Sequence, residues 1–558
     1  MPVLRYLSRR TFLAALQGKD FLTRLWRRQR DYNTLQLSLH GALPEGTTFS
    51  LASLWQRAGL DFLACTTILR WARDDDKIQA VVLSITDLDI GWARLQGLRR
   101  SLLALRAANK KVWVYLTEGG MREYYLASAA DTILMAPAGH LSVTGLAAET
   151  VFFKGALDKL GIEAQVHQAG QYKAAGEPFT RESMSDAHRE MLDGLLDDLY
   201  GQLVEDIASA RNKSKSAVQE VIDQGLFMAR EALAAGLVDH VAYEDEIPTL
   251  LETTLNPVHL ITMDDYLHRR RRELRRQLLA TDPKKIALVT VDGAIKRGES
   301  LDGGEGAHTV GSTTFATDMK QIRENDEITA LVVRVSSPGG SGLASDLMWR
   351  ELMRMREQKP VIISLGDVAA SGGYYLALAG EKVFAETGTI TGSIGVIAGK
   401  AVLHDLYTQV GIKKEILTRG KRAALFSDYQ AFSPQERERL DSEILSFYQS
   451  FLEKVATCRS LSAEAVEPNA QGRVWTGRQA WVRGLVDEIG GIEEALLEVK
   501  KRVGIPLDKP VLIERFPKPP SLWRIPKLVR YIPRRSEAPW WWTQERIWAI
   551  MPVSLRFL

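Results

Sequence analysis

A chain of 558 residues is too long for one ordinary hydrophobic core, so two or more domains are expected. Its 45% hydrophobic and 25% charged residues are those of a globular protein, which excludes extensive disorder away from the ends. A net charge of +3 points to no nucleic-acid partner, and the two isolated cysteines, Cys65 and Cys458, supply neither a metal-ligand spacing nor a disulfide framework.

In chain order, residues 1–33 form a basic segment in which the longest apolar run is Phe12 to Leu16. Arg24, Arg27, Arg28 and Arg30 follow it, so it does not read as a clear secretory signal. Neither it nor any later segment reaches the roughly 18 apolar residues of a membrane span. Residues 34–252 form a first unit. Val81–Ile85 and Val112–Leu116 are short apolar runs that read as buried parallel strands, with a helical stretch, Leu95–Ala107, between them. A basic linker, 253–284, holds four consecutive arginines from Arg269 to Arg272; it reads as a solvated helix or, more sharply, as a membrane or subunit contact. Residues 285–500 form a second unit, in which Leu331–Val335 and Val361–Leu365 flank the helical stretch Leu343–Arg356. The strand–helix–strand alternation predicts an α/β fold. In the tail, 501–558, Trp523, Trp540, Trp541, Trp542 and Trp548 are interleaved with basic residues and prolines. That composition suits peripheral contact with lipid headgroups, the alternatives being packing against a subunit or disorder.

The two units are copies. Leu39-His-Gly-Ala-Leu43 returns as Val291-Asp-Gly-Ala-Ile295, Tyr124-Tyr-Leu-Ala127 as Tyr374-Tyr-Leu-Ala377, and Gly236-Leu-Val-Asp239 as Gly484-Leu-Val-Asp487. Three matches in one order, at offsets of 252 (39 to 291), 250 (124 to 374) and 248 (236 to 484), define a tandem duplication.

The segments that could carry chemistry differ between the copies. Gly366-Asp-Val-Ala-Ala-Ser-Gly-Gly-Tyr-Tyr375 places Ser371 between a predicted strand and a predicted helix, where free backbone N–H groups gather. Ser337-Pro-Gly-Gly-Ser341 ends the preceding strand and can turn an N–H toward a ligand. At the repeat offset Ser371 falls on Met121, while Gly372 and Gly373 fall on Arg122 and Glu123, so the first copy lacks this turn. A serine needs a base. His404 is the nearest histidine after Ser371. Lys173, in Gly170-Gln-Tyr-Lys-Ala-Ala-Gly-Glu-Pro178, aligns with Ala423 of the other copy. The complementary losses suggest one composite site, its base from the first copy and its nucleophile from the second. Lysine can serve only when neutral, so burial would have to lower its pKa from about 10.4 to near 7. Ser393, in Thr391-Gly-Ser-Ile-Gly395, is a candidate to orient the amine.

Four of these segments, starting at Gly170, Ser337, Ser371 and Thr391, resemble the signature segments of the signal peptide peptidase A family, peptidase family S49, in its long two-copy form. The resemblance covers roughly residues 35–500. It implies a tandem duplication of a crotonase- and Clp-protease-like α/β domain. It also implies a Ser–Lys endopeptidase with Ser371 as nucleophile, Lys173 as base, Ser393 supporting the lysine, and Gly372 and Gly339 as oxyanion donors. It calls for no metal and no cofactor. The implied substrates are released signal peptides and other extended apolar peptides, and the implied assembly is a membrane-associated homotetramer. Familiar members carry an N-terminal membrane anchor, from which this sequence departs, leaving the membrane side open. Rival expectations are a hydratase or isomerase of the crotonase type, a protease using Ser371 with His404, and a non-catalytic membrane scaffold.

Overall fold

The structure, a computed structural model, describes residues 31–46, 60–280, 284–302, 308–507, 509–518 and 548–551. The basic segment up to Arg30 and most of the tail beyond Lys518 lie outside the described residues.

The predicted apolar runs are strands because both of their faces are covered. Val81, Leu83, Val112, Leu331, Val333 and Ile363 are all fully buried, as helix-sandwiched parallel strands require. In the first copy the strands Thr132–Met135, Lys111–Leu116, Ala80–Leu88 and Thr34–Gly41 run parallel in that spatial order, with His240–Val241 and Leu260–Thr262 at the two ends. In the second copy Lys382–Ala385, Val361–Ala370, Ile328–Ser337 and Lys285–Asp292 repeat that order, ending on Glu488–Ile489 and Leu512–Phe516. Each sheet thus takes its outer strand, Leu260–Thr262 or Leu512–Phe516, from the segment that follows its unit. The basic linker is the helix Met263–Ala280. It is moored to the first copy by Tyr266, which is fully buried and donates its hydroxyl to Asp75 at 3.2 Å.

A third sheet ties the copies together. The arm Glu163–Ala169 leaves the first copy and pairs antiparallel with Val396–Val402 of the second over seven positions, Ala169 opposite Val396. The core is shared as well. Leu95, Leu98 and Leu102, on the helix Trp92–Ala107, belong to one buried cluster with Ile362, Phe384 and Leu496 of the second copy. Across the same seam the buried Glu45 carboxylate accepts both of its hydrogen bonds from the Arg334 guanidinium, at 2.7 and 3.0 Å. Among the described residues no helix is long and apolar enough to cross a membrane.

Candidate active site

Ser371 stands where the strand Val361–Ala370 becomes the helix Gly372–Ala377. Its φ of +53° lies in the left-handed region that non-glycine residues rarely adopt, which marks a turn held by its surroundings. Two bonds fix it: the Ser371 N–H donates to Gly392 O at 2.8 Å, and its carbonyl accepts from the Tyr375 N–H at 2.8 Å. Gly373 must stay small. A Cβ on Gly373 would sit 2.7 Å from the Ser337 carbonyl oxygen, so side chains here would force the helix off the Pro338-Gly-Gly strand.

The arm from the first copy delivers Lys173. After Ala169 the chain turns at Gly170, whose φ is +105°, and the Tyr172 N–H donates to Gln471 O at 2.9 Å. Gly472 lies flush against Lys173, leaving no room there for a side chain. The lysine stem is thereby clamped, and its amine lies 2.8 Å from Ser371 Oγ, 2.9 Å from Ser393 Oγ and 3.0 Å from Ser393 O. Ser393 is also held at a positive φ, +53°, and donates its N–H to Arg473 O at 2.7 Å. Lys173, Ser371 and Ser393 are each 0% exposed. Burial, with no compensating carboxylate, holds the Lys173 amine well below the usual lysine range.

Two further backbone N–H groups belong to elements that meet at this turn. Gly372 opens the helix, so its N–H has no acceptor within it. Gly339 has φ +102°, and its N–H reaches Ser337 Oγ at 3.2 Å. His404 is elsewhere. Its side chain is 50% exposed, its Nδ1 lies 2.9 Å from Asp405, and its ring packs on Tyr429.

The corresponding place in the first copy is blocked. The helix Met121–Ala127 matches Gly372–Ala377, and Glu123 stands where Gly373 does. The Glu123 carboxylate accepts from the N–H groups of Leu88, at 2.7 Å, and Gly120, at 2.8 Å. The first copy thus carries a hydrogen-bonded carboxylate at the position where the second has only the bare Gly373. Sequence reasoning missed Gln471, Gly472 and Arg473, which hold the lysine and Ser393. Gly472 carries no chemical signal of its own, so only its contact with Lys173 across the copies gives it a role.

A buried hydroxyl at a strand-to-helix turn, with oriented N–H groups and an amine beside it, on a duplicated α/β scaffold, defines the class of serine-type peptidases. Comparison with known proteins gives the family: Peptidase family S49 matches over residues 104–257 and again over 353–506, and the chain belongs to it. It is 34% identical over 501 residues to a serine protease SPPA, chloroplastic, of Arabidopsis thaliana, covering 88% of this chain and 72% of that one. It is 30% identical to Protease 4 of Haemophilus influenzae, over 78% of this chain and 72% of that one. With Protease 4 of Salmonella typhi it shares 31% identity, over 77% and 70% of the two chains. The chain is a serine peptidase of this kind, built as two tandem copies of an α/β unit.

Proposed function

We propose that the peptidase works through a Ser371–Lys173 dyad split between its two copies and hydrolyses extended apolar peptides, released signal peptides among them. The observation that carries this reading is the amine of Lys173, buried without a carboxylate partner and 2.8 Å from Ser371 Oγ. A neutral amine there accepts the serine proton as Oγ attacks the peptide carbonyl. The N–H groups of Gly372 and Gly339 receive the negative charge that develops on the carbonyl oxygen. The lysine ammonium then returns its proton to the leaving nitrogen, and water repeats the sequence on the ester. Ser393 holds the amine through its hydroxyl and carbonyl, fixing its direction. The substrate class is supported by the names of relatives, one of them a putative signal peptide peptidase of Enterococcus faecium that is 32% identical over 39% of this chain. A homotetramer and peripheral membrane contact belong to the same reading and rest on family resemblance.

The test is the rate at which a serine-directed acylating probe labels Ser371. Lys173→Arg should abolish labelling and peptide hydrolysis together, because a guanidinium stays protonated. Ser371→Ala should lose at least about a thousandfold in kcat with folding intact. His404→Ala should label at the wild-type rate. Normal labelling in the arginine variant and none in the alanine variant would transfer the role of base to His404.

A further inference from the structure

Lys173, Ser371 and Ser393 ride on three separate segments, and the ties between those segments set their distances. Within the second copy the tie is backbone. Ser371 donates its N–H to Gly392 O, and the strand Ile390–Gly392 pairs antiparallel with Val474–Thr476. The lysine comes from the other copy, so its place against that strand pair needs ties across the seam. One set is made by side chains that the proposed chemistry does not use. Glu190, on the helix Asp186–Ala210 of the first copy, accepts from the Arg473 guanidinium at 2.7 Å and from the Tyr172 hydroxyl at 3.1 and 3.3 Å. The Arg473 guanidinium lies 4.8 Å from the centre of the Tyr172 ring and 4.6 Å from that of Trp475.

Two members of this cluster adjoin the site along the chain. Tyr172 precedes Lys173. Arg473 follows Gly472, which abuts the lysine, and the Arg473 carbonyl accepts from the Ser393 N–H at 2.7 Å. A shift of Arg473 against Tyr172 is therefore a shift of Ser393 against the amine. Arginine suits the position, because its flat guanidinium stacks on rings while its edge bonds a carboxylate. The Arg473 and Tyr172 bonds hold the Glu190 carboxyl below its usual range. Yet Glu190 is 57% exposed, and an ion pair so open to water adds little to stability.

We propose that Glu190, Arg473 and Tyr172 are positioning residues that keep the Lys173 amine in register with Ser371 and Ser393 across the two copies. This rests on the proposed reading of Lys173 as the base. The three act through the backbone they hold and take no part in proton transfer.

The test compares full-length Glu190→Gln, Arg473→Met, Tyr172→Phe and the double variant Glu190→Gln/Arg473→Met. The readouts are the rate at which a serine-directed probe acylates Ser371, followed across pH, and the thermal midpoint. Glu190→Gln should slow acylation on the order of tenfold with a midpoint within about 2 °C of wild type. Tyr172→Phe, which keeps the ring beneath the guanidinium, should lose less. The double variant should be no slower than the slower single one, because the pair acts as a unit. A loosened amine is less thoroughly buried, so the rising limb of the pH profile should move to higher pH in Glu190→Gln. Removal of a negative charge would by itself favour the neutral amine and move that limb the other way, so an upward shift reports geometry. An acylation rate within about twofold of wild type in Glu190→Gln, a limb that stays or falls, or additive losses in the double variant would overturn the proposal. Should Arg473→Met fail to fold, Glu190→Gln and Tyr172→Phe, singly and together, complete the same cycle. Lys173→Arg separates this proposal from the reading beneath it. If that variant is silent and Glu190→Gln acylates normally, the cluster falls and the dyad stands. If Lys173→Arg acylates normally, the dyad falls and takes the cluster with it.

Discussion

Lys173 is held by burial, and burial penalises its charged form alone. Its folded-state pKa lies below the unfolded value of about 10.4, so between those two values the unfolded chain binds one more proton than the folded one. Stability therefore rises with pH through that window, and the cost of the buried ammonium is greatest on its acid side. Lys173→Met, which keeps the volume and removes the charge, should raise the thermal midpoint most at low pH. Its advantage over wild type should shrink as pH rises toward 10. On the proposed dyad the same depression governs catalysis, and activity should increase with pH as the amine becomes neutral. A variant whose advantage is flat across pH would show that Lys173 is not titrating in the folded protein.

The turn Gln471–Gly472 has no reactive group, yet it decides where the lysine points. Gly472 has φ +77°, and a Cβ there would lie 2.7 Å from both Cβ and N of Lys173. Gly472→Ala should cost about 1–2 kcal/mol from the backbone conformation. By displacing the amine, it should also lower kcat on the order of a hundredfold. Steady-state kinetics read alongside a thermal melt separate the two effects, because a merely structural role leaves kcat close to wild type. Strands buried on both faces announce themselves as apolar runs, so Val81–Ile85 and Val361–Leu365 were legible, and the observed strands only extend them. The Ser371 turn was legible from its paired glycines, of which Gly373 permits close approach to Ser337. Lys173 became legible only through the duplication, since a lone lysine has no pattern. Nothing local marks Gly472 or the strand Trp548–Ile550. Their places are set by backbone edges supplied by residues far away in sequence.

At the scale of the molecule the two copies meet along a charged seam. Asp292 ends its strand beside Glu45, Arg94 and Asp367, and burial, more than the neighbouring carboxylates, pushes its pKa up to about 6. A raised carboxyl binds its proton more tightly in the folded state. The stability this gives is complete below the unfolded pKa of about 3.9 and is lost as pH rises through about 6. Asp292→Asn should thus match wild type near pH 4 and exceed it by roughly 2–3 kcal/mol at neutral pH, measured by thermal midpoints across that range. The same seam carries the ladder between Glu163–Ala169 and Val396–Val402, and that ladder has a genetic meaning. The amine and the hydroxyl are encoded in different halves of one reading frame, and the arm brings them together within one molecule. An allele that destroys the lysine and an allele that destroys the serine therefore fail to complement in the same cell as long as every molecule keeps its own arm. Recovery of function in such a cross would count the molecules that had traded arms. On the proposed dyad, a half-length product of the gene would inherit a scaffold without a reaction.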